Sequence, residues 1–127
     1  MALALALALL VGCGQMDASA VDQQATKLQS TVAEATLLAR GASEGRFTGT
    51  FVAVRARELT EDSAGVRDSL REQDVAAPAR ERARRLRETA GQVESAMRQL
   101  SERTGDRPLA GRLADELQAA GASLGPG

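Results

Sequence analysis

Pro78 to Leu100 reads PARERARRLRETAGQVESAMRQL, and its apolar residues Ala79, Ala83, Leu86, Ala90, Val93, Met97 and Leu100 step by four and three without a break. That spacing returns each of these side chains to one line of a 3.6-residue helix, whereas a half-buried strand would alternate with a period of two. Pro78 suits a first turn, where its missing N–H has no intrahelical partner to lose. The pattern predicts a helix from Pro78 to about Thr104, ended at Gly105 and about 40 Å long at 1.5 Å per residue.

The same spacing recurs on both sides. A first helix is expected from about Ala20 to Arg40, with Val21, Ala25, Leu28, Val32, Ala35 and Ala39 on one line and Leu38 beside it. Ser19, followed by Asp22 three residues on, approximates a capping box, and Gly41 is placed to end the helix. A second is expected from about Phe47 to Arg71, with Val52, Ala56, Leu59, Ser63, Val66 and Leu70 in line. Thr48 or Thr50 can cap it, and Phe47 and Phe51, one turn apart, can plug one end of the core. A fourth, from Arg107 to about Ala120, carries Ala110, Leu113, Leu117 and Ala120, with Asp106 as N-cap, Pro108 in its first turn and Gly121 as its stop.

Matched lengths and short linkers favour antiparallel neighbours. We expect an all-α chain, an up-down antiparallel helical bundle of three long helices plus a short fourth. A three-helix bundle with the last helix folded across one end is the variant.

Composition sets the quality of the core. Of 127 residues 43% are apolar but only 2% aromatic, Phe47 and Phe51 alone, so the interior must be aliphatic and alanine-rich. Burial contributes about 25 cal/mol per Å² of apolar surface, so small side chains imply modest stability. Sixteen basic and seventeen acidic residues give a net charge of −1, unlike the basic domain that nucleic-acid binding usually requires, and no nucleic-acid partner is expected. With one cysteine and no histidine, no intramolecular disulfide can form, and neither the usual zinc, haem and copper ligand sets nor a histidine-based catalytic triad can be assembled.

The start of the chain has a different character. Ala2 to Val11, ALALALALLV, is apolar throughout, too short to span a bilayer as a helix but of the length of a signal-peptide hydrophobic region. It runs directly into Leu10-Val11-Gly12-Cys13. This tetrapeptide resembles the lipobox of bacterial lipoproteins at all four positions. The resemblance covers about the first tenth of the chain, and the helical remainder resembles no family. It implies cleavage between Gly12 and Cys13, a diacylglyceryl thioether on Cys13, and Cys13 as the mature N-terminus. Two or three acyl chains on one residue hold a protein to a membrane durably, where one chain alone is marginal. No other cofactor is expected.

No lysine or arginine precedes the apolar run, a departure from ordinary signal peptides that points to a translation start upstream of Met1. Two other readings compete with the lipobox: a buried thiol at Cys13, and cleavage at the A-x-A triplet Ala18-Ser19-Ala20, which would release the protein unanchored. On the lipobox reading, residues 1–12 are signal peptide, 13–19 a lipid-anchored linker, 20–121 the bundle and 122–127 a frayed tail. The protein would be held on the extracytoplasmic side of the cell envelope. Gly14, in place of the aspartate associated with inner-membrane retention, would send it to the outer membrane if the organism has one.

Four features of the helical part are candidate sites. Arg80, Arg82, Arg84, Arg85 and Arg87 can form a patch for anionic headgroups, cell-wall polymer or an acidic partner protein, or can pair with Glu34, Glu58, Glu61 and Asp62 of neighbouring helices. The second use is favoured because carboxylates are as numerous. Glu58, Glu61 and Asp62 share one turn, but with Arg55 and Arg57 beside them pairing such as Arg57 with Glu61 is favoured over a metal site. Ser63 reads as a backbone-bonded hydroxyl with no general base near it. Gly91 either lets another backbone approach closely or is a weak spot.

We therefore expect a non-enzymatic envelope lipoprotein acting by contact with another component. The alternative is a carrier whose low-volume core opens for a hydrophobic or amphipathic ligand. A cavity lined by Leu28, Val32, Leu59 and Leu86 would favour the carrier, and a solid core with an exposed apolar stripe the contact module.

Overall fold

The computed structural model describes residues 14–125. These form four α-helices, α1 (Ala18–Ser43), α2 (Gly49–Ser69), α3 (Arg80–Glu102) and α4 (Arg107–Ser123), with two 3-10 turns, Glu72–Asp74 and Ala77–Ala79, between α2 and α3. Among the described residues the only extended pairing is one isolated parallel bridge, Met16 to Val75. The fold is all-α.

The lines read from the sequence become the core. Val21, Ala25, Leu28, Val32, Ala35 and Ala39 of α1 are buried, as are Val52, Ala56, Leu59, Ser63 and Val66 of α2 and Leu70 at its cap. On the third line every residue from Ala79 to Leu100 is buried, and α4 adds Leu109, Ala110, Leu113, Ala114 and Leu117. The most extensive contacts join α2 to α3 and α1 to α4, with α1 against α2 next.

The helix ends differ from expectation where residues distant in sequence intervene. Helix α1 begins at Ala18 rather than Ala20, because Asp17, not Ser19, is its cap: the Ala20 N–H donates to Asp17 Oδ1 at 2.9 Å. The bridge at Met16 and the extended backbone of Asp17 precede the helix, so the cap falls immediately after the bridge. Gly41 does not end α1. The helix continues to Ser43, and the left-handed residue is Gly45, at φ 70°. There the Arg46 N–H reaches the Gly41 carbonyl at 2.9 Å and the Gly45 N–H the Ala42 carbonyl at 3.1 Å, the paired closure of a Schellman motif. A side chain at Gly45 would also meet the Arg107 guanidinium. Gly45→Ala should therefore cost about 1–2 kcal/mol through the left-handed backbone alone, read as a fall in the thermal midpoint.

Helix α2 begins at Gly49 with Thr48 as cap, its Oγ1 accepting from the Phe51 N–H at 3.2 Å. Pro78 sits in the 3-10 turn ahead of α3 rather than within its first turn. Asp106 caps α4 as expected, accepting from the Leu109 N–H at 3.0 Å. Gly121 is not a stop, since α4 runs on to Ser123. A Cβ at Gly121 would lie 3.0 Å from Val32 Cγ1, so this glycine permits close approach of α4 to α1. The chain beyond it is not frayed through residue 125: Leu124 packs against the core and Gln29 Nε2 donates to the Gly125 carbonyl at 3.2 Å.

Candidate functional site

Gly12 and Cys13, the residues of the expected cleavage and lipid attachment, lie outside the described residues. The structure begins with Gly14 and Gln15, both exposed, and the stretch expected as linker is held down from Met16 onward. The Met16 N–H donates to the Asp74 carbonyl at 2.7 Å and the Ala76 N–H donates to the Met16 carbonyl at 2.9 Å, with Val75 buried between the two.

The five arginines of α3 do not stand together as a free basic surface. Arg80 Nε donates to the Val75 carbonyl at 3.1 Å, and Arg87 donates to the Leu70 carbonyl. Both close off orphan carbonyls of the α2–α3 connection. Arg82 pairs with Asp22 of α1. Arg84 bonds Glu81 at 2.6 Å and Glu88 at 2.6 Å on its own helix. That hydrogen bond, with the charge behind it, holds the exposed Glu81 carboxyl below its usual range and raises Arg84 in turn. Among the described residues Arg85 alone of the five has no ion pair or hydrogen bond. Of the bridges expected to neighbouring helices only Arg82 to Asp22 is made among the described residues, and none of the five reaches Glu34, Glu58, Glu61 or Asp62.

Glu34 and Glu58 share another partner. Arg55 bonds Glu58 at 2.6 Å and also pairs with Glu34 across the α1–α2 contact. The Glu58 hydrogen bond raises the Arg55 pKa, opposed by burial and reinforced by Glu34. The pair expected between Arg57 and Glu61 does not form; Arg55 takes the role because it faces α1. Among the described residues no group of three or more histidine, cysteine or acidic side chains converges as a metal site would. The Ser63 hydroxyl is buried and donates to the Leu59 carbonyl at 2.8 Å, one turn back. Gly91 has nothing within 4 Å of where a Cβ would stand, so no other backbone uses the space.

The feature missed in the sequence is an apolar surface. Leu37 is 70% exposed, Val54 49%, Phe51 48% and Phe47 40%. The two rings stack with centroids 5.0 Å apart at 45°, not inside the core as expected but beside it. The core at that level is already filled by Leu38, Ala42 and Val52, so the rings have only the outside of the α1–α2 seam to cover. Phe47 lies over Gly41, where a Cβ would collide with the ring. Leu37, Leu38, Phe47 and Phe51 line a shallow recess whose rim is the Glu34–Arg55 pair. Leu37 also borders a second recess between α1 and α4, floored by Val32, Ala33 and Leu117. A partial signal was available: Leu37, Phe51 and Val54 fall off the four-three lines, although Leu38, also off its line, is buried. Single exposed apolar residues are ordinary, but an aromatic pair joined to a leucine and rimmed by charge has the make-up of a contact site. Comparison of the chain with protein-family models, with curated proteins and with solved structures finds no match.

Proposed function

We propose that this protein is a membrane-anchored envelope lipoprotein, tethered through lipid on Cys13 after cleavage behind Gly12, and that it acts without catalysis as an interaction module. The observation that carries the contact role is the surface formed by Leu37, Phe47 and Phe51 on a filled core. Leu28, Val32, Leu59 and Leu86 are buried as packed core residues, which gives the carrier alternative less support. The partner is another envelope component, a protein or cell-wall polymer, and aromatic side chains with an arginine beside them are the residue types that dominate protein contacts.

The architecture we propose for the module is an up-down bundle of three long helices and a short fourth. Helix lengths of 26, 21, 23 and 17 residues support it. So does the order of contacts: Ser43 lies near Gly111, Arg40 bonds Asp115 and Val32 meets Gly121, which run in opposite senses along α1 and α4.

The position of the anchor draws support from the start of α1. Cleavage after Ala20 would remove both Met16, with its bridge, and the Asp17 cap, whose kind contributes about 1 kcal/mol. Cleavage before Cys13 leaves both intact.

A photocrosslinking residue at position 51, in the native envelope, should give adducts that the same residue at the exposed Glu61 position does not. Identical adduct patterns at the two positions would remove the patch from its role.

A further inference from the structure

We propose that the end of the bundle formed by Met16, the Arg71–Pro78 connection and the start of α3 rests on the bilayer surface. The Leu37–Phe47–Phe51 patch is then presented at the far end, away from lipid. This rests on the reading of Cys13 as the lipid-bearing residue and adds to it an orientation that a lipid tether alone does not impose.

A tether orients a domain only if it is short and its attachment is fixed. Both conditions hold. Met16 is fixed by its two backbone hydrogen bonds to Asp74 and Ala76, at 2.7 and 2.9 Å, and its side chain packs partly buried against the core. From Met16 back to Cys13 there are three Cα steps, a reach of about 11 Å at full extension. With the glycerol of a lipid on Cys13 at headgroup level, Met16 and the Asp74 and Ala76 backbone bonded to it stay within that reach plus the length of the Cys13 side chain. Helix α1 starts beside this point and its 26 residues extend about 39 Å. At its other end lie Gly45 against Arg107, and Phe47 over Gly41.

Charge is not what holds this end down. The surface that would face lipid carries Arg71, Glu72, Asp74 and Asp17, both signs together, while Arg80 is bonded to the Val75 carbonyl and Arg82 to Asp22. A polybasic surface would respond to anionic lipid and to salt. Contact made by a short pinned tether responds to neither.

The test uses the full chain, expressed and purified from membranes, with a fluorescent amino acid at Gln73 or at Arg46, both exposed and at opposite ends. Each protein is placed in phosphatidylcholine vesicles doped with headgroup-nitroxide lipid, and the intact mass of the same sample reports the state of Cys13. Quenching should be several-fold greater at 73 than at 46, and unchanged by high salt or by added phosphatidylglycerol. Met16→Pro removes the N–H that binds Asp74 and should lower quenching at 73 while the helical circular dichroism is kept. If that variant unfolds, the comparison of 73 with 46 in the parent chain still decides. Lipid on Cys13 with equal quenching at the two positions, or with more at 46, overturns the orientation alone. Loss of quenching at 73 in high salt overturns the pinned tether as its cause. A bare thiol at Cys13 overturns the anchor and the orientation with it.

Discussion

Leu59→Ala should lower the free energy of unfolding by about 3–4 kcal/mol, within the 2–5 kcal/mol range of buried leucine truncations. Leu59 lies in the middle of α2 and is fully buried. The cost of such a truncation depends on how far the surroundings can close over the space left behind. Here much of the interior is alanine: Ala25, Ala35, Ala39, Ala56, Ala83, Ala90 and Ala110 are all buried. Alanine has no rotamer with which to fill a void, so closure would require whole helices to shift, against the remaining leucine and valine contacts. Stabilities of ordinary domains lie at about 5–15 kcal/mol, and a core of small side chains falls toward the lower end. One substitution should thus remove a large part of the total. The expected signature is a lower urea midpoint at an unchanged slope. A loss below about 1 kcal/mol would mean that the interior is loosely packed and adapts, contrary to the close packing that folded interiors require.

Cys13→Ser should abolish acylation, halt processing between Gly12 and Cys13, and move the protein out of the detergent phase on partitioning. The effect should be large: among residues 14–125 no helix is long and apolar enough to cross a membrane. The retained segment Ala2 to Val11 is also shorter than the roughly 20 residues a spanning helix needs. Each buried methylene of an acyl chain contributes about 0.8 kcal/mol, so two chains outweigh any contact the surface of the bundle makes with lipid. Intact mass and detergent partitioning are read on the same preparation. Unchanged partitioning of the serine variant would count decisively against the anchor.

Most of the core was legible residue by residue. Val21 to Ala39, Val52 to Leu70, Ala79 to Leu100 and Ala110 to Ala120 were readable as lines, because a helix buries a face and a face repeats at three and four residues. The Asp106 cap was readable for a similar reason: a side chain that caps a helix bonds to a backbone N–H three residues away, a local event. The failures have one origin. Ser19 and Gly41 satisfy the local rules for a start and a stop, and the helix passes both because Met16 is held by hydrogen bonds to Asp74 and Ala76 and because the turn into α2 is made at Gly45, opposite Arg107. Gly121 has the local character of a stop and is a point of close approach to Val32.

For the candidate sites the division is sharper. The equal number of acids foreshadowed ion pairing, but not its partners: Arg82 of α3 finds Asp22 of α1, Arg67 of α2 finds the buried Glu94 of α3, and Arg80 and Arg87 take backbone carbonyls instead of acids. Phe47 and Phe51, the only aromatic residues, invited placement in the core, and packing by smaller side chains left them outside it.

Periodicity alone determined the helical class and the buried lines of this protein, and the tetrapeptide ending at Cys13 is what the proposed lipid anchor rests on. Tertiary structure decided the rest: the docking of Met16 on the α2–α3 connection, the partners of Arg67, Arg82 and Arg87, and the apolar side chains left at the surface. The physical reason is range. Helix propensity and amphipathic spacing act over a turn or two, whereas a salt bridge, a close approach or a displaced ring depends on the distance between segments that only packing brings together.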